Sequence, residues 1–178
     1  MTRFFGWMTL GGAAAIMVAL GLGCAGYRRG SPVPPAFRTV HVPAFENRTV
    51  YPMVGAMAAQ QFMDALIEDG TFLPSPYDSA RLRVQAIVTS LESTAVKYDR
   101  NHAIVPDEYT LALVVKLYVF DRATGETYLN GKTITATDSA LTRGDFQTGV
   151  TDALPRLARK LGQRLVEVLH SLPYAAEP

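Results

Sequence analysis

Cysteine is nearly absent: Cys24 is the only one in 178 residues, so no disulfide can form within the chain. Histidine is almost as scarce. His41, His102 and His170 lie far apart in sequence and lack the local spacing of metal ligands. No Gly-x-Ser-x-Gly elbow occurs, and the one cysteine sits behind an apolar leader. Net charge is missing too. Without Arg3, 16 basic residues face 16 acidic ones, which argues against nucleic acid as a partner. The glycines Gly125 and Gly131, followed by Lys132 and Thr133, are separated by five residues where a phosphate loop needs four. These absences point away from an enzyme and imply no metal or cofactor. What remains is surface.

The first segment has a clear design. Arg3 precedes an uncharged run from Phe4 to Tyr27, and the small residues Gly21 and Gly23 lead to Cys24. A charged start, an apolar core and small residues before a cut describe an exported precursor. A cysteine directly after the cut resembles the bacterial lipobox, in which the thiol is acylated, although Gly21 stands where leucine is usual. An uncleaved membrane anchor and plain secretion are the alternatives, since about 20 apolar residues suffice to span a bilayer. Ala25, rather than aspartate, follows the cysteine, and this resembles the sorting pattern for the outer membrane. Ser31-Pro32-Val33-Pro34-Pro35 reads as a short stiff tether.

Beyond the tether the pattern is that of one domain. Val40 and Val42 alternate with Thr39 and His41, the period of a strand, and Pro43 ends it or marks an edge. Asn47 and Thr49 offer side-chain oxygens for a turn or cap. Val54, Ala58, Phe62 and Leu66 then predict a helix from about Pro52 to Asp69, with Gly70 suited to its left-handed end. Leu82, Val84, Ala86 and Val88 predict a long half-buried strand running toward Lys97. Tyr109, Leu111, Leu113, Val115, Leu117 and Val119 predict a central one. A turn at 121–126 returns the chain into a threonine-rich strand over 127–137. A second helix follows from about Phe146 to His170, with Pro155 expected to restart or kink it. Its basic stripe, Arg156, Lys160 and Arg164, has the look of a solvated face.

The expected fold is α+β in the order β-α-β-β-β-α. One mixed, mostly antiparallel sheet of about four strands carries both helices on one face. The expected boundaries are a signal peptide over 1–23, a lipidated tether over 24–36, the domain over 37–172 and a tail over 173–178.

Val42-Pro43-Ala44-Phe45-Glu46-Asn47-Arg48-Thr49 resembles the V-P-x-F-x-N-x-T segment of the LptE family of lipopolysaccharide-assembly lipoproteins. Gly26-Tyr27 resembles the start of mature members, displaced by Ala25, and the turn Asp121-Arg122-Ala123-Thr124-Gly125 is similar to a hairpin that recurs in them. The resemblance implies a non-catalytic outer-membrane lipoprotein, held at the periplasmic face by acylated Cys24. It also implies an LptD-like β-barrel partner, within which the protein acts as plug and assembly factor, and contact with lipopolysaccharide. The basic residues Lys97, Arg100 and Arg143 would meet the ligand, whose phosphates call for cations at loops. Arg83, Lys116 and Tyr118, with Gln85 and Thr110, belong to the sheet face that the helices leave open, the candidate partner surface. A lipoprotein subunit of another envelope or secretion complex is the rival reading.

Overall fold

A computed structural model of the chain describes residues 33–98, 106–142 and 145–174. Cys24, Arg100 and Arg143 lie outside them. Among the described residues six strands and two α-helices follow one another as β1 (Thr39–His41), β2 (Glu46–Asn47), α1 (Val54–Asp69), β3 (Leu73–Pro74), β4 (Leu82–Tyr98), β5 (Pro106–Asp121), β6 (Thr127–Leu141) and α2 (Phe146–His170). The sheet order is β3-β1-β4-β5-β6, with β2 also against β4. The α+β architecture agrees with the sequence pattern. The count of four strands grows to six because the segment after Pro43, expected as a turn, adds a two-residue strand, β2, beside β4, and another two-residue strand, β3, joins the edge.

β1 and β2 run parallel to β4, whereas β4, β5 and β6 form an antiparallel meander. Leu82, Val84, Ala86, Val88, Leu111, Leu113, Val115, Leu117 and Val119 all point into one core with Phe62, Leu66, Leu157, Leu161 and Leu165 of the helices. Strand alternation and helical stripe meet there, as their two periods require. Among the described residues no helix is long and apolar enough to cross a membrane.

The segment from Phe45 to Thr49 builds the entry to α1. Phe45 is buried, its ring 6.0 Å from that of Phe62. The Asn47 amide donates to the carbonyls of Tyr51 (2.7 Å) and Pro52 (3.3 Å), while its oxygen accepts from the Thr49 backbone (3.0 Å) and hydroxyl (2.8 Å). These bonds spend Pro52 on the turn, so α1 starts at Val54. A Cβ on Gly55 would stand 2.7 Å from the Phe45 carbonyl oxygen, so only glycine lets the helix approach this closely. The stretch that carries the family resemblance is therefore a structural clasp.

α2 begins under an N-cap: Asp145 accepts from the backbone N–H groups of Gln147 and Thr148. It runs unbroken through Pro155, contrary to the expected restart. Pro155 is exposed and so is Thr151, whose carbonyl, left without its helical donor, can turn to water.

The basic stripe of α2 is exposed, as expected of a solvated face. It also lies along the outer edge of β6. Arg156 donates to the Ser139 carbonyl (3.0 Å), Lys160 to that of Thr137 (3.4 Å) and Arg164 to that of Thr135.

Candidate functional site

With both helices on one side, the other side of the sheet is open among the described residues, and the register of the strands fixes what it presents. Across it, His41 lies beside Arg83 and Arg83 opposite Phe120. Next come Gln85, Tyr118 and Asn130, then Ile87, Lys116 and Thr133, then Ser90, Val114 and Thr135. Ile87, Val114, Tyr118 and Phe120 are half-buried. The pattern reading placed Arg83, Lys116 and Tyr118 on one face, and the structure brings them to three successive rows of it.

Their surroundings differ. The Arg83 guanidinium stands 5.6 Å from the ring centroid of Tyr77, a cation–π contact, and its buried Nε has no hydrogen-bond partner among the described residues. Tyr118 lies over the bulge at Gly131, where φ is 75° and a Cβ would meet the phenolic oxygen at 3.3 Å. Lys116 is exposed. A shallow hollow of about 430 Å³ opens beside these rows, lined among others by Pro43, Gln85, Ile87, Tyr118, Phe120 and Asn130. A half-apolar face with scattered polar ends can dock a partner through shape and hydrogen bonds together.

Of the candidate ligand cations, Lys97 alone is among the described residues. Lys97 is exposed near the end of β4, in register with Glu108, which itself faces Leu141 of β6. The ends that flank positions 100 and 143, Tyr98 with Pro106 and Leu141 with Thr142, thus belong to one end of the antiparallel meander. Val96, Tyr98 and Leu141, all exposed, add apolar surface there.

Sequence reasoning missed the ion pair at the opposite end. Asp121 is buried, and Arg81 grips it with two bonds, Nε to Oδ1 at 2.7 Å and Nη2 to Oδ2 at 2.8 Å. Burial would raise the Asp121 pKa, but the Arg81 bonds, the Ala123 N–H and Thr124 outweigh it and hold the carboxyl below its usual value. The only sequence signal was the Asp-x-x-Thr-Gly turn, which said nothing about an arginine 40 residues earlier. Among the described residues no three metal-ligating side chains cluster.

No protein-family model matches the chain, and no curated protein matches it in sequence. Solved structures do match in fold. A minor lipoprotein from Acinetobacter baumannii aligns with a TM-score of 0.50 at 17% identity, covering 81% of this chain and 100% of that one. A hypothetical protein from Chlamydia trachomatis reaches 0.53 at 12% identity, over 74% of this chain and 95% of that one. A Xanthomonas campestris protein reaches 0.51 at 8% identity, over 77% and 88%. At these identities the likeness is one of fold, and bacterial lipoproteins are among the chains that share it.

Proposed function

We propose that this chain is an envelope lipoprotein of the LptE kind. It is anchored through acylated Cys24 at the periplasmic face of the outer membrane and acts without catalysis. It docks into an LptD-like β-barrel as plug and assembly partner and contributes to lipopolysaccharide transport. The observation that carries the reading is the open sheet face, where Ile87, Val114, Tyr118 and Phe120 stand half-buried among Arg83, Lys116 and Gln85. A face that joins apolar side chains to long polar and charged ones can meet the wall of a large partner through packing and hydrogen bonds together. The V-P-x-F-x-N-x-T segment and a lipobox-like Cys24 support the same reading. Isolating the chain from detergent-extracted membranes should bring down a β-barrel protein in fixed proportion. Recovery of the subunits of a different envelope or secretion complex in its place would overturn the barrel assignment in favour of the rival.

Two further outcomes are expected. Cys24→Ala should release the chain from membranes or block its processing, and a purified mature protein whose intact mass still includes Met1 would rule out acylation at Cys24. Lipopolysaccharide binding should be charge-assisted, weakened by salt and carried by Lys97, Arg100 and Arg143. Charge reversal at Arg100 and Arg143 should reduce binding at low salt, with the thermal midpoint followed alongside to confirm that the variant is folded. Unaltered binding in the folded double variant would remove both residues from the site.

A further inference from the structure

An edge strand presents unpaired backbone groups to any strand that comes alongside. β6 is a lateral edge of this sheet, 15 residues long, and its partner β5 occupies only one side. Three cations of α2 meet its other side at regular intervals. Arg156, Lys160 and Arg164 are spaced four residues apart, and the carbonyls they reach, Ser139, Thr137 and Thr135, are spaced two apart in the reverse direction. Four helical residues rise about 6 Å and two strand residues about 6.6 Å, so the two periods stay in step over all three contacts. Asp138 fixes the register, accepting from Arg156 Nε at 3.0 Å and from Lys160 Nζ at 2.7 Å.

We propose that this ladder is an edge guard. It occupies the outward acceptors of β6 with positive charge and so keeps a second copy of the chain from adding its own β6 there. The opposite lateral edge has its own protection, since β3 is two residues long and includes Pro74, which has no N–H to offer. The Arg156 and Lys160 side chains are 58% and 52% exposed, but Asp138 between them is only 12% exposed, so the ladder also keeps that carboxylate paired. The second copy is the natural occupant. Two β6 edges related by a two-fold axis across the sheet pair antiparallel, each offering the acceptors at 135, 137 and 139 that the cations now hold.

The test is self-association of the full chain, followed by sedimentation equilibrium in density-matched detergent. Replacing the ladder by Arg156→Gln, Lys160→Gln and Arg164→Gln should strengthen self-association about tenfold or more, with the thermal midpoint lowered because Asp138 loses both partners. Adding Thr137→Pro to that variant removes one outward N–H and should restore the monomer. A folded triple variant that stays as monomeric as the parent overturns the proposal. So does association that survives Thr137→Pro, since it would run through another surface. If the triple variant loses its cooperative thermal transition, the pair Lys160→Gln and Arg164→Gln is read by the same two criteria.

Discussion

Arg81→Met should cost about 3–5 kcal/mol at neutral pH, more than Asp121→Asn at the other end of the same pair. The two partners differ in burial: the Asp121 side chain is 1% exposed and that of Arg81 25%. Losing Arg81 strands a carboxylate in the core with only the Ala123 N–H (2.8 Å) and Thr124 to answer it. Losing the charge on Asp121 leaves a guanidinium that can reach water and still lies 4.9 Å from the ring centroid of Phe37. The pH dependence has a definite sign. The folded carboxyl has a lowered pKa, so the pair's contribution is complete above the unfolded value near 3.8 and is lost as pH falls through the folded one. Denaturant unfolding of parent and Arg81→Met should therefore show a gap at pH 7 that narrows below about pH 4. A gap that holds constant down to pH 2 would mean the arginine stabilises through contacts other than this carboxylate.

That ion pair illustrates what the sequence conceals. The helices were legible because their stripes are long: α2 spans Phe146–His170, the expected range, and the left-handed Gly70 ends α1 with φ 71°. The meander was legible from alternation. Contacts between distant segments were not, since nothing in the spacing of Arg156, Lys160 and Arg164 says that a strand edge with matching rise lies beneath them. A bulge is equally silent. Register shifts between Val88 and Ser90, where the Thr89 hydroxyl donates to the Val114 carbonyl at 3.0 Å. Beyond it Leu91 pairs with Leu113 and packs against the core, so the faces of β4 exchange parity halfway along. Of the candidate site, the open-face trio of Arg83, Lys116 and Tyr118 was readable because period-two alternation is a local property. The half-apolar character of that face was not, because it depends on how far the neighbouring strands cover Ile87 and Phe120.

Neighbouring residues on β5 separate the two faces by experiment. Leu113 is fully buried against the helices, and Leu113→Ala should cost about 2–5 kcal/mol. The spread reflects how far α1 and α2 can settle into the space, and the close helix packing favours the upper half. At Gly162 a Cβ would stand 2.6 Å from the Gln61 carbonyl, so the helices already touch backbone to backbone and have little room to close further. Val114, the next residue, points the other way and is half-buried on the open face. Val114→Ala removes less buried surface and should cost about 1 kcal/mol or less. Chemical denaturation of the two variants should give midpoints clearly apart, with Leu113→Ala far lower. A cost below about 0.5 kcal/mol for Leu113→Ala would place that side chain on the surface and reverse the assignment of faces. The same pair tests the docking reading. A charge at Val114, as in Val114→Lys, should leave the fold intact yet lower recovery of the proposed barrel partner, because an unpaired cation would then be buried against it. Undiminished recovery in the folded variant would move the interface off this face.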